Sequence, residues 1–218
     1  MKKLLLVFGI LVAFVSVFCQ EVFAADILPR YVSTKYTNTL GLYQAPKNVV
    51  LYQEPDEKSP LVMSIKWSCV DIFPEGVKFE DMFVVFIPSK ELGLMAVTDE
   101  TEDWVQVMYN NSTGDKGWMK KDDPYKFMTW INFYNMYGRK YGLKMLKGTP
   151  DNIKDLHVST DDKSQTTGTL NMPQKINLNV IKGNWALVSV FDLDRVPKTG
   201  YIRWRGDNGT KYFFPDMK

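Results

Sequence analysis

Turn chemistry recurs so often between residues 40 and 120 that no long helix fits there. Glu54-Pro55-Asp56, Pro74-Glu75-Gly76, Pro88-Ser89 and the stretch from Asn111 to Gly114 punctuate the chain, and each of these residue types disfavours continued regular structure for its own steric or hydrogen-bonding reason. Between them lie short apolar or β-branched runs: Leu42-Tyr43, Val49 to Tyr52, Leu61 to Ile65, Cys69 to Phe73, Phe83 to Ile87, Leu92 to Val97 and Trp104 to Tyr109. Such runs predict strands, and many short strands with frequent turns predict a small barrel or sandwich.

The pattern changes at residues 122–141. Asp122 or Asp123 is placed to cap a helix with Pro124 in its first turn. Phe127, Trp130 or Ile131, Tyr134 and Tyr137 then recur at helical spacing, and Gly138 is a plausible stop. The polar face carries little positive charge, so this helix is expected to pack on protein rather than on a membrane surface. Strand signals return at Leu156 to Val158, Lys175 to Ile181, Trp185 to Phe191 and Gly200 to Trp204. Asp207-Asn208-Gly209 is a hairpin turn leading into Lys211 to Phe214.

The two strand-rich regions repeat one another. Leu51-Tyr52 followed by Asp56-Glu57-Lys58-Ser59 matches Leu156-His157 followed by Asp161-Asp162-Lys163-Ser164. Trp104-Val105-Gln106-Val107 matches Trp185-Ala186-Leu187-Val188, and Gly117-Trp118-Met119 matches Gly200-Tyr201-Ile202. The spacing places an extra segment of about 24 residues in the first copy, between Lys66 and Thr98, which fits an added hairpin. Leu51, Tyr52, Pro55, Ser59, Trp104, Val107, Gly117 and Trp118, with Leu156, Ser164, Trp185, Val188, Gly200 and Tyr201, resemble the marker positions of bacterial SH3 (SH3b) domains. The second copy departs from that pattern at Thr160, where a proline is expected, and the extra segment of the first copy is atypical. The resemblance implies a mainly β protein of two small SH3-like barrels in tandem. It also implies an exported bacterial protein whose modules bind peptidoglycan or peptides. On this reading residues 25–39 are a lead-in, 40–121 the first module, 122–141 a short helical linker and 142–218 the second module.

The N-terminus agrees with export. Met1-Lys2-Lys3 is a short positive region, Leu4 to Phe18 an apolar run ended by Gln20 and Glu21, and Val22-Phe23-Ala24 a cleavage motif. Cleavage is expected after Ala24, with Ala25 as the alternative; an uncleaved anchor and lipid attachment at Cys19 are other readings. Cleavage removes one of the two cysteines and leaves Cys69 alone, so no intramolecular disulfide is available and stability must come from apolar burial. The chain carries 27 Lys+Arg against 25 Asp+Glu, a balance that gives nucleic acid no electrostatic footprint.

One histidine and two cysteines exclude multi-histidine metal sites and zinc knuckles. Cys69 and His157 are the only mature Cys–His pair, and they fall in different modules, on strands rather than at a helix start. There is no Gly-x-Ser-x-Gly elbow, no P-loop and no Gly-x-Gly-x-x-Gly. Asp192-x-Asp194 begins like a calcium loop but lacks the glycine and terminal glutamate, and Asp122-Asp123 and Asp161-Asp162 read as capping and turn residues. No carboxylate pair is singled out for glycoside hydrolysis. No cofactor or metal is expected, and the chain reads as a binding protein rather than an enzyme.

What remains is aromatic surface. Strand alternation puts Val105 and Val107 on one face and Trp104 and Gln106 on the other. Met119 inward puts Trp118 outward, so Trp104 and Trp118 are predicted side by side on the outer face; the same logic pairs Trp185 with Tyr201, with Ala186, Val188 and Ile202 inward. Such pairs fit a sugar ring or an extended peptide, or they are cross-strand pairs that stabilise the sheet. Arg203 and Arg205 flank Trp204 near Lys211, a cluster that suits either a solvated hairpin or carboxylates of a stem peptide. The candidate binding residues are thus Trp104, Trp118, Trp185, Tyr201, Arg203 and Arg205, and the expected partner is cell-wall peptidoglycan or an envelope protein.

Overall fold

A computed structural model describes residues 25–66, 77–171, 174–191 and 196–218. The predicted export segment, Cys69 with its predicted strand, the Pro74-Glu75-Gly76 turn and Asp192-x-Asp194 lie outside the described residues. Strand propensity and turn spacing build two sheets. The first contains β1 (Gly41–Gln44), β2 (Asn48–Tyr52), β3 (Leu61–Lys66), β4 (Val85–Ile87), β5 (Leu92–Glu100), β6 (Trp104–Asn110), β7 (Asp115–Lys120) and β8 (Phe127–Thr129). The second contains β9 (Leu143–Met145), β10 (Asp155–His157), β11 (Thr166–Thr169), β12 (Lys175–Lys182), β13 (Trp185–Phe191), β14 (Pro197–Arg203) and β15 (Phe213–Pro215).

The first sheet runs β3-β2-β7-β6-β5-β1-β8, with β4 paired to β5 off this path, and the second β11-β10-β14-β13-β12-β9-β15. Element for element, the two orders are the same. Each path is open, its two end strands unpaired with one another. The correspondence extends to irregularities. Register shifts between Leu51 and Tyr52 against β3, and between Leu156 and His157 against β11. It shifts again between Val97 and Asp99 against β6, and between Leu178 and Val180 against β13. A bulge bends its strand and re-aims side chains, so its recurrence at matched positions marks a shared design. The Asp-x-Lys-Ser turns also match: Asp56 Oδ1 accepts from Lys58 N and Asp161 Oδ1 from Lys163 N, both at 2.9 Å.

Matched glycines let matched strands approach. A Cβ on Gly117 would lie 2.9 Å from Leu51 Cβ, and one on Gly200 would lie 3.1 Å from the His157 carbonyl oxygen and 3.2 Å from Leu156 Cβ.

The extra segment of the first copy falls between β3 and β5, inside the expected interval. Its described part is a helical turn, Phe79–Met82, and β4, which forms a hairpin with β5. This hairpin is interior. Phe79, Phe83 and Phe86 stack with centroids 4.9–5.8 Å apart, and every residue from Met82 to Ile87 is buried.

The predicted helix over 122–141 starts later. Residues 127–129 form an edge strand against Gly41–Tyr43, so the helical run is 130–141. Thr129, not Asp122 or Asp123, is its cap, Oγ1 accepting from Asn132 N at 3.2 Å. An α-turn, Trp130–Phe133, passes through a π-helical stretch, Tyr134–Gly138, into Arg139–Tyr141. Gly138 is not the stop: it has helical dihedrals, and a Cβ there would lie 2.9 Å from Leu178 Cδ2, so its smallness seats the helix on β12. Gly142 ends the run at φ 80°, a conformation that costs a glycine nothing.

One buried cluster gathers Leu42, Leu94 and Ala96 of the first sheet, Trp130, Phe133 and Tyr134 of the helix, and Leu178, Val188, Ile202 and Trp204 of the second sheet. A separate cluster on the other side of the first sheet holds Tyr43, Leu51, Met95, Val97, Val105, Val107 and Met119. The helix therefore packs against residues of both sheets. The lead-in is a strap that touches both as well. Ile27 bridges Phe86 of β4, and Tyr31 bridges Lys147 beyond β9.

Candidate functional site: matched outer faces of the two sheets

The alternation predicted for β6 and β7 holds. Val105, Val107 and Met119 are buried in the inner cluster, and Trp104 and Trp118 lie on the opposite face. Their register is diagonal rather than directly opposed: Trp104 faces Lys120 and Gln106 faces Trp118. Among the described residues Tyr52 packs on Trp104, edge-on at 5.8 Å and 84°, and Tyr52 is itself paired with Trp118 across β2 and β7. Trp118 is 8% exposed, so an open pair of indoles is not what forms; Trp104 and Tyr52 stay half-buried beside a closed Trp118. Lys120 Nζ at the rim bonds Glu57 Oε1 at 2.8 Å.

The second sheet repeats the arrangement with different chemistry. Trp185 faces Arg203 and Leu187 faces Tyr201, while His157 is paired with Tyr201. His157 meets Trp185 edge-on at 5.3 Å and 83°, as Tyr52 meets Trp104. Trp185 is also 8% exposed. The Arg203 guanidinium lies 5.7 Å from its ring centroid, a cation–π geometry. Here too the predicted outward pair is closed, and Tyr201 alone of the pair stays half-buried, with Lys182 Nζ donating to its hydroxyl at 3.2 Å.

The cationic cluster is largely committed. Arg203 is bonded to Asp162 and, at 2.5 Å, to Asp207; the arginine draws the Asp207 carboxyl below its ordinary range, and Asn184 assists. Arg205 Nε donates to Asn184 Oδ1 at 2.7 Å, and Asn184 donates to Asp207. Trp204, between the arginines, is fully buried and donates from Nε1 to the Gly183 carbonyl at 3.0 Å. Lys211 points away from this network. It is 6% exposed, donates from Nζ to the Tyr36 carbonyl at 2.5 Å and lies 4.1 Å from the Trp130 ring centroid. Burial, with the Arg205 charge, pushes its pKa down to about 7.

Sequence reasoning missed Tyr52 and His157 as members of these faces, although the repeat already aligned them. It also missed the carboxylates over Arg203, Asp162 from a turn far along the chain and Asp207 from the turn just after it. His157 accompanies Ser164 through Nδ1 contacts of 3.3 Å to its carbonyl and 3.4 Å to its hydroxyl. That hydroxyl already donates to the Asp161 carbonyl at 2.7 Å, an arrangement that closes a turn. Among the described residues no group of three or more His, Cys, Asp or Glu side chains is placed to hold a metal, and no helix is long and apolar enough to cross a membrane. No protein-family model matches the chain, and no curated protein matches it.

Proposed function

We propose that the chain is an exported, non-catalytic binding protein made of two SH3-like modules in tandem, recognising cell-wall peptidoglycan or an envelope peptide through the outer faces of its sheets. The observation that carries this reading is the matched placement of rings: Tyr52, Trp104 and Trp118 on one sheet, His157, Trp185 and Tyr201 on the other. Two faces with one geometry and different edge chemistry suit two neighbouring features of one extended ligand. The first face offers half-buried Trp104 and Tyr52 to an apolar sugar face; the second offers Tyr201 beside polar groups to a peptide. The resemblance of the marker residues to SH3b domains points the same way. The alternatives are a structural or inhibitory partner of an envelope enzyme, making its contact through the extra segment of the first copy, and an unrecognised cell-wall hydrolase; the first has less support because the described part of that segment from Met82 to Ile87 is interior.

Co-sedimentation of the chain from Ala25 with purified peptidoglycan sacculi tests the proposal. Trp104→Ala combined with Tyr52→Ala is expected to abolish binding while leaving cooperative unfolding intact. Binding unchanged in that variant discards the first face as the site. No binding by the parent chain overturns wall recognition and moves the search to a protein partner.

A further inference from the structure

The chain is nearly neutral overall, yet the fold gathers positive charge at one place. A cavity of about 650 Å³ is lined by Arg30, Lys144, Lys147 and Lys218, with Asp26 the one acidic side chain among its lining residues and Met145 an apolar wall. These cations come from separate segments held by backbone bonds. Lys147 N donates to the Arg30 carbonyl, and Val32 N to the Lys147 carbonyl, both at 2.9 Å, which fixes Arg30 of the strap beside Lys147. Lys144 lies on β9, opposite Phe214 of β15. The segment after β15 folds back, Asp216 N donating to the Gly142 carbonyl at 3.1 Å, and fully buried Met217 anchors it next to Lys218. Among the described residues, none of the four cations has a carboxylate within ion-pair distance. This contrasts with Arg203, which has two.

Four cations against Asp26 and the nearby Asp216 leave an excess of positive charge around one cavity, which an anion relieves. Burial lowers the pKa of Lys144; Asp216 opposes this, and the charges of Lys218 and Arg30 lower it further. The cavity falls within the size range of small-molecule sites, about 300–1,000 Å³, and is far larger than a single phosphate. We propose that this cavity is a binding site for a small organic polyanion, a molecule bearing two or more phosphate or carboxylate groups. Arg30 supplies a planar, two-pronged donor and the lysines supply point charges around it. The site is independent of the outer faces and of the function proposed for them.

Calorimetric titration of residues 25–218, which contain every described element, with pyrophosphate, citrate and inorganic phosphate tests the proposal. Saturable one-to-one binding of pyrophosphate or citrate is expected, tighter than that of inorganic phosphate. The tighter of the two identifies phosphate or carboxylate as the recognised group. Lys144→Ala/Lys147→Ala should weaken it at least about tenfold. Lys147→Arg should retain it, and Lys116→Ala/Lys163→Ala, which removes the same charge elsewhere, should leave it unchanged. Thermal unfolding of each variant checks that it is folded, and Lys147→Glu at an exposed position serves as the second disruptive variant. Linear, unsaturable heats overturn the proposal, as does equal weakening by the distant lysine pair, inorganic phosphate binding as tightly as pyrophosphate, or binding only to vesicles of anionic lipid.

Discussion

The two sheets share one wiring diagram and carry different loads. In the first, β5 is buried on both faces: Leu94 and Ala96 join the core shared with the helix, and Met95 and Val97 join a second core beneath the β4 hairpin. Its counterpart β12 alternates, burying Ile176 and Leu178 and leaving Val180 38% exposed. Met95 and Val97 match Ile176 and Leu178 and are buried in both copies; the difference lies at Leu94 and Ala96, which match Lys175 and Asn177, and Val84, Val85 and Ile87 of the extra segment join the cluster that buries them. The second sheet instead draws stability from the helix and from large side chains of its final strands. Topology and bulge positions thus survived while the apolar mass was redistributed, which is how a repeat can keep its surface geometry and change its interior.

Substitutions can break this comparison. The largest effect is expected from Trp204→Ala. The ring is fully buried, 4.2 Å from Tyr134, and its N–H is bonded, so denaturant unfolding should show a loss of about 3–5 kcal/mol. Trp104→Ala, on a half-buried ring, should cost far less. Next comes pH. The Lys211 pKa is depressed to about 7 in the folded chain from an ordinary 10.5. Between those values the unfolded chain binds more protons than the folded one, so this lysine makes stability rise with pH through that window and contributes no slope below it. The Trp130 ring and the Tyr36 carbonyl favour the ammonium and moderate the effect. Lys211→Met should flatten this part of a stability-versus-pH curve; an unchanged curve would show that the amine stays charged. The first sheet has no buried lysine among its described residues.

Matched glycines sharpen the comparison further. Gly117→Val and Gly200→Val should each cost about 1–3 kcal/mol by overpacking, because each new side chain meets a neighbouring strand. A large effect at one and none at the other would show that the close approach is not equivalent. The smallest contrast is at the matched cations. Arg203 is 15% exposed at its side chain, bonded to two carboxylates and set over Trp185, so Arg203→Ala should lose about 1–2 kcal/mol. Lys120, facing Trp104, is solvated at its head and paired with an exposed Glu57, so Lys120→Ala should leave the unfolding midpoint where it is.

The strands with strong alternation, β2, β3, β6, β12 and β13, were legible in the sequence, and so was the repeat that aligns them. The three-residue strands β8 and β9 were not, nor was Thr-rich β11, because so few residues carry no readable period. Asp122-Asp123-Pro124 imitates a helix start, but pairing with β1 uses residues 127–129 first, and a tertiary contact of that kind leaves no local mark. Alternation assigned Trp118 and Trp185 to the correct face. It was silent on their closure, since the roofing groups Tyr52, His157 and Arg203 lie on other strands. The interior fate of the β4 hairpin was hidden for a similar reason: an apolar strand reads alike whether one or both of its faces are covered.

The strap has a consequence for the order in which this molecule is completed. Residues 27–36 make bonds to Phe86, to Lys147 and, through the Tyr36 carbonyl, to Lys211. The core of the first sheet is made of residues near one another in sequence and can consolidate as soon as they are synthesised. The strap is fully held only once Lys211 is made, because that lysine anchors the Tyr36 carbonyl while Phe86 and Lys147 hold the earlier part. Contacts spanning so much of the chain make closure late and slow. A chain interrupted before Lys211 can still fasten the strap at Phe86 and Lys147 but leaves its Tyr36 end without the lysine that holds it.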